Sequence, residues 1–307
     1  WTMMAPEAAL LLLGLALLPQ WPPRWFPGQR GLGGALAIEG AVSGERTQEH
    51  CERLQWPKNI IHVAPVKLLW CPNAKAGTSS MYRALARAFN DSDIHRERCF
   101  GSWWCPSLAL RHIGDFSSRE KVDLCMDTAL SIVVVRNPFD RIYSAYLSKL
   151  KPPCEAGVMC DVAAAVRRSN GLPQEAETVE FYHFVRYLAT IEEKDMDIHW
   201  LPVSRRCGEH KFPYDQVVKL EEDYTGTMRS IFSRVGLDPE AFPDRRWNSH
   251  PVNDTDHGEA EACHRVELRR EHYECPASVC SDPMELMETV RRIYADDLAR
   301  YGYSFDA

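Results

Sequence analysis

Lys75-Ala76-Gly77-Thr78-Ser79-Ser80 puts a cation, a glycine and three consecutive hydroxyls within six positions. Gly77 permits a tight backbone turn. The amides and hydroxyls that follow can surround a phosphate at a helix N-terminus, and Lys75 adds a charge able to follow a leaving oxygen. The Walker order GxxxxGK[ST] is absent. Taken alone, the string also describes a capped helix start with a solvated lysine. A second string, Val133-Val134-Val135-Arg136-Asn137-Pro138-Phe139-Asp140-Arg141-Ile142-Tyr143-Ser144, puts an arginine directly after an apolar run. Ser144 lies eight residues beyond it. A guanidinium fork with one hydroxyl suits a terminal phosphate.

Elements must bring these groups together. Lys67–Cys71 reads as a short buried strand and Ser79–Phe89 as a helix, with Met81, Leu85 and Phe89 at four-residue steps. Ser131–Val135 is β-branched and apolar, the pattern of a central parallel strand. Pro138 can open the following helix, which continues over Arg141–Lys149. Thr178–Ile191 is predicted as a helix and Gln216–Leu220 as a strand. Met284–Tyr301 is predicted as one closing amphipathic helix. This alternation implies an α/β, P-loop-like three-layer fold, a central parallel sheet flanked by helices. Ligands bind such sheets at the carboxyl ends of the strands.

The chain has 307 residues and a formal net charge of −7. That size suits one large domain with a short leader. The acidity argues against a nucleic-acid partner, so any anionic ligand must be held by local cations. Residues 1–20 contain an uncharged apolar run, Ala8–Leu18, shorter than the roughly 20 residues of a membrane span. They are read as a signal peptide or short membrane anchor. Residues 21–59, rich in Pro and Gly toward their start, are read as a stem or linker, and the folded domain as 60–307. Eleven cysteines without a CxxC…CxxC zinc pattern point to an oxidising compartment. Cys99 with Cys105, Cys154 with Cys160 and Cys275 with Cys280 are close pairs, and the last two are the local disulfide candidates. The sequons Asn90-Asp91-Ser92 and Asn253-Asp254-Thr255 fit a secretory route.

Together, Lys75-Ala76-Gly77-Thr78-Ser79 and Arg136-Asn137-Pro138-Phe139-Asp140-Arg141 with Ser144 resemble the two nucleotide-binding signatures of the sulfotransferases. The longer string through Lys149 is similar to the Golgi membrane-bound carbohydrate group, the chondroitin 4-O- and HNK-1-type enzymes. So are His199-Trp200-Leu201-Pro202 with Cys207, Lys219-Leu220-Glu221-Glu222-Asp223, and the close Ile293-Tyr294-Ala295-Asp296-Asp297 with Tyr301-Gly302-Tyr303. The resemblance implies 3′-phosphoadenylyl sulfate as co-substrate, no obligatory metal, a carbohydrate acceptor and the Golgi lumen or membrane. It assigns the 5′-phosphosulfate to Lys75, Ala76, Gly77, Thr78, Ser79 and Ser80, and the 3′-phosphate to Arg136 and Ser144. Family members often carry a second cysteine just after the position of Cys207, where this chain has Gly208-Glu209-His210. Acceptor identity does not carry over.

Transfer also needs a base for the acceptor proton. His112 is the first candidate. It lies 24 residues before Arg136, a distance similar to that of the catalytic histidine in several sulfotransferase branches. His199 and Glu221 are the others, while His183 reads as packing. Three alternatives stay open: transfer to a tyrosine, lipid or small-alcohol hydroxyl, a P-loop nucleotide kinase, and a non-catalytic lumenal binding protein.

Overall fold

A computed structural model describes residues 46–94, 107, 109–151, 157–174, 179–208, 211–243, 270–280, 282 and 284–305, all within the compact unit Gly40–Ala307. The elements in chain order are α1 (Gln48–Arg53), β1 (Ile61–Val63), β2 (Leu68–Cys71), α2 (Thr78–Phe89), β3 (Leu110–His112), α3 (Ser118–Asp127), β4 (Leu130–Val135), α4 (Pro138–Lys149), α5 (Val158–Ser169), α6 (Phe181–Leu188), α7 (Val203–Arg206), β5 (Gln216–Lys219), α8 (Tyr224–Arg234), α9 (Glu285–Ile293) and α10 (Ala295–Tyr301).

The sheet order is β3-β1-β2-β4-β5. β2 pairs with β4, and β4 with β5, in parallel. β1 runs antiparallel to both β2 and β3. Four strands therefore share one direction and only β1 is reversed. The expected parallel core is β2-β4-β5. The short β1–β3 wing was not visible as strands in the sequence, because three-residue segments carry too little periodicity.

Strand alternation builds a core on each face. Leu68, Trp70, Ile132 and Val134 pack with Met81 and Leu85 of α2 and with Met228, Ile231 and Phe232 of α8. Their neighbours Leu69, Cys71, Val133 and Val135 face Leu124 of α3, Val203 of α7 and Tyr301 of α10. With both faces covered, β4 has to be apolar at nearly every position, as its sequence is. A third cluster joins α4, α5, α6 and α9 through Phe139, Ile142, Val166, Phe184, Leu286 and Val290.

Helix ends follow local chemistry. Gly77, in the left-handed region at φ 77°, caps α2. A Cβ there would meet the Tyr224 hydroxyl at 2.5 Å, so this position requires glycine on both counts. Asn137 caps α4 by accepting from the Phe139 amide, with Pro138 opening the helix. The closing helix expected over Met284–Tyr301 is two helices. Tyr294 breaks it at φ −108°, ψ 23°, and its buried hydroxyl donates to the Trp200 carbonyl. That tertiary bond outweighs the continuous apolar pattern.

The folded unit includes residues ahead of Ile60. Cys51 of α1 is disulfide-bonded to Cys125 of α3, and Arg46 pairs with Asp215. Cys275 bonds Cys280, as the spacing suggested. Cys160 is also disulfide-bonded, with its partner outside the described residues. Cys99, Cys105 and Cys154 lie outside them as well. A further bond, Cys71–Cys207, links the end of β2 to the residue after α7. Residues 1–45, including the apolar run, are not among those described. Among the described residues no helix is long and apolar enough to cross a membrane.

Candidate active site

The loop from Pro72 to Gly77 leaves the carboxyl end of β2, and α4 begins three residues after the neighbouring parallel strand β4 ends. Both motifs therefore open at one sheet edge. Asn73, 1% exposed, joins them. Its Nδ2 donates to the Val134 carbonyl at 3.3 Å, its Oδ1 accepts from Arg141 Nη1 at 3.4 Å, and its carbonyl accepts from Thr78 Oγ1 at 2.6 Å.

Lys75 lies at φ 67°, a left-handed conformation that a lysine adopts only when its surroundings enforce it. Its Nζ donates to Ser148 Oγ at 2.8 Å, and its carbonyl accepts from Arg136 Nη1 at 3.3 Å. Ser148 and Ser144 are four residues apart on α4, hence on one face. Lys75, Arg136 and the serine face of α4 are thereby gathered in one place. Gly77, Thr78, Ser79 and Ser80 form the cap and first turn of α2, whose opening amides are a natural anion site. Ala76 and Ser80 are buried.

The electrostatics favour an anion. Burial first, then the charges of Arg136 and Lys149, lower the Lys75 ammonium to about 8. Among the described residues no carboxylate pairs with Lys75. An arriving phosphate or sulfate would relieve this crowding, so the residues present fit the phosphosulfate end of a nucleotide.

The three candidate bases are held differently. His112 ends β3 and is level with Ile61, which is level with Trp70. Since β3 and β2 share a direction, His112 sits at the same sheet edge, two strand spacings or about 10 Å from β2. Its Nδ1 is buried without a hydrogen-bond partner. Burial lowers its pKa, Asp115 opposes this and Arg206 adds to it. His199 Nδ1 lies 2.5 Å from Asp197 Oδ1. Burial acts to raise the Asp197 carboxyl, but hydrogen bonds from the His199 ring and amide, with the charges of His199 and Lys149, hold it below its ordinary value. Both oxygens of Glu221 are engaged: Oε1 accepts from the Asn137 amide at 2.9 Å and Oε2 from the Tyr303 hydroxyl at 2.8 Å. It holds the turn that carries Arg136. His183 is buried away from these groups, in the helical layer.

Sequence reasoning passed over four supporting groups. Asn73, two residues ahead of Lys75, and Ser148, within the longer string through Lys149, carry no signature of their own. Arg141, 1% exposed, donates to the Leu201 carbonyl at 2.7 Å and so ties the His199–Leu201 segment to α4. Arg206 Nε donates to the Pro72 carbonyl at 3.0 Å. The available signal for the last was its place beside Cys207. Among the described residues no cluster of three His, Cys, Asp or Glu could hold a metal ion.

Known proteins place this site in context. Carbohydrate sulfotransferase 8 of Mus musculus is 31% identical over 193 residues, covering 58% of this chain and 45% of that protein. Carbohydrate sulfotransferase 8 of Homo sapiens is 32% identical over 193 residues, 58% of this chain and 44% of that one. Carbohydrate sulfotransferase 9 of Homo sapiens is 28% identical over 203 residues, 61% and 44%. The chain thus spans less than half the length of these relatives. No solved structure matches it. A sequence model of the Sulfotransferase family matches residues 58–304, which takes in the Lys75 and Arg136 motifs and the sheet that carries them, and the chain belongs to that family.

Proposed function

We propose that the chain is a sulfotransferase that moves a sulfuryl group from 3′-phosphoadenylyl sulfate to a hydroxyl of a carbohydrate. One observation carries this reading: Lys75 and Arg136 meet at one sheet edge, with Arg136 bonded to the Lys75 carbonyl and Lys75 bonded one turn from Ser144. The relatives' names supply the carbohydrate class.

The bound donor supplies the sulfuryl group and its leaving phosphate. Arg136 and Ser144 hold the 3′-phosphate, and the α2 cap with Thr78, Ser79 and Ser80 holds the 5′ end. Lys75, released from Ser148, neutralises the leaving phosphate oxygen as its bond to sulfur breaks. Positioning and charge stabilisation dominate such transfers, as in phosphoryl transfer. His112 takes the acceptor proton as the acceptor oxygen bonds sulfur. Its orphaned Nδ1 and lowered pKa support this, because the ring stays neutral and able to accept. No metal is assigned a role. The disulfides support synthesis in the secretory pathway, with the Golgi lumen as the site of action and residues 1–20 as signal or anchor.

Calorimetry with 3′,5′-ADP and with ATP-Mg tests the donor site. Labelled donor offered with glycans and small alcohols tests the acceptor class. Binding of 3′,5′-ADP with label on a glycan is expected. Tight ATP-Mg binding without 3′,5′-ADP binding would instead favour a nucleotide kinase, and label only on a non-sugar hydroxyl would correct the acceptor.

A further inference from the structure

Arg205 and Arg206 are neighbours at the end of α7, yet their environments differ. Arg205 is a surface residue, paired with Glu193 at 2.9 Å and Asp296 at 3.6 Å. Arg206 is partly buried and anchored from several sides. Its Nε donates to Pro72 at 3.0 Å, and its own carbonyl accepts from Asn59 Nδ2 at 2.9 Å. The next residue, Cys207, is bonded to Cys71. The start of α7 is held by the fully buried Asp297 carboxylate, which accepts from the Val203 and Ser204 amides at 2.7 and 2.8 Å.

These bonds fix the stem of Arg206 and leave its fork unused. Among the described residues neither Nη makes a hydrogen bond or an ion pair, and neither is sealed from solvent. Asp197 acts on it electrostatically, but that carboxylate is already engaged by the ring and amide of His199. Burial and the neighbouring Arg141 lower the guanidinium to about 10, so it is still charged at neutral pH. Arg206 also acts electrostatically on His112 and Tyr82. It therefore touches the first residue of the Lys75 loop and is close enough to act on the proposed base.

We propose that the free fork of Arg206 binds an oxyanion at the reaction centre, either the sulfonate oxygens of the transferring group or an acidic substituent of the acceptor. A planar guanidinium fixed through Nε presents two donors in the geometry that sulfate and carboxylate oxygens accept. The role rests on the sulfotransferase reading, and no family signature assigns it.

The test uses the oxidised protein and the variants Arg206→Gln and Arg206→Lys. Three probes are used: 3′,5′-ADP binding, acceptor-free hydrolysis of 3′-phosphoadenylyl sulfate, and transfer to chondroitin against a neutral oligosaccharide. Affinity for 3′,5′-ADP, which carries no sulfonate, is expected to hold in Arg206→Gln. If the fork grips the sulfonate, donor hydrolysis falls by roughly 10²–10³, the cost of a lost oxyanion donor, and Arg206→Lys recovers part of it. If it grips the acceptor, hydrolysis is normal and only transfer to chondroitin is lost. Unchanged hydrolysis and unchanged transfer would overturn the proposal. So would a loss of 3′,5′-ADP affinity in step with a lower melting temperature, which would make Arg206 a structural residue. A separate readout does not depend on the donor reading: inorganic sulfate should slow modification of Arg206 by phenylglyoxal, and equal modification with and without sulfate would refute an oxyanion site. If the unaltered chain binds no 3′,5′-ADP, the sulfotransferase reading itself fails, and this protection experiment still decides the oxyanion site.

Discussion

Arg136 reaches across two motifs to the Lys75 carbonyl, which brings its side chain to the proposed donor site. Arg136→Ala should weaken 3′,5′-ADP binding by about 1.5–3 kcal/mol, the scale of a charge-assisted bond. Unchanged affinity in a titration would remove it from the donor site. Lys75 gives a pH signature. Held at about 8 rather than 10.5, it is charged below that value and loses its proton as pH rises through it. Affinity for 3′,5′-ADP should therefore decline above about pH 8. The stability linkage has the opposite sense. Between about 8 and the unfolded value the unfolded chain binds more protons, so this group's contribution to stability rises with pH across that window. At neutral pH the charged, partly buried lysine is a destabilising element. Lys75→Met should melt higher than the unaltered protein while losing turnover, and a lower melting temperature would contradict the assignment. His112→Ala should lower kcat by about 10²–10⁴ with 3′,5′-ADP binding retained. Because burial lowers the His112 pKa, the acid limb of the rate profile should fall below pH 6.5. Near-normal turnover in this variant, with loss on His199→Ala, would move the base to the Asp197–His199 pair.

At the scale of elements, the proposed site depends on how rigidly the Lys75 loop is held. Its start is fixed by the Cys71–Cys207 bond, its middle by Asn73, and its end by the Gly77 cap under the Tyr224 ring. Replacing Cys71 and Cys207 together by serine should cost about 2–5 kcal/mol of stability, since the bond closes a long loop. Denaturant melts of the oxidised proteins check this, and an unchanged midpoint would count against the bond. Gly77→Ala meets both a positive φ and a ring at contact distance. It should cost about 1–3 kcal/mol and lower donor affinity more than Ala76→Gly does. The strands β2, β4 and β5 and the helices α2 and α4 were legible in sequence because continuous β-branched runs and four-residue apolar steps report burial directly. The break at Tyr294 was not legible. Its cause is a bond to Trp200, a residue distant in the chain.

For the whole molecule, three layers bring six separate segments to one edge: the Lys75 loop, the Arg136 turn, α4, β3 with His112, the 197–201 segment and α7. The C-terminal residues close the arrangement, with Asn137 Nδ2 donating to the Ser304 carbonyl at 2.8 Å and Tyr303 donating to Glu221. Tyr303→Phe should therefore lower 3′,5′-ADP affinity modestly, by about 0.5–1.5 kcal/mol, the net contribution of one hydrogen bond. An unaltered affinity would show that the Arg136 turn stands without the C-terminus. The sequence by itself determined the family and the two motifs that carry the resemblance, because the Lys75 loop and the arginine after a strand are local strings whose residues sit within a few positions of each other. It also determined the parallel core and the Cys275–Cys280 pair, both products of short-range pattern. Only the tertiary structure decided the Cys71–Cys207 and Cys51–Cys125 bonds, the full engagement of Glu221, the Asp197–His199 contact and the unused fork of Arg206. Each of these joins or leaves apart residues according to how the layers pack, and no spacing along the chain encodes which side chain finds a partner across the sheet.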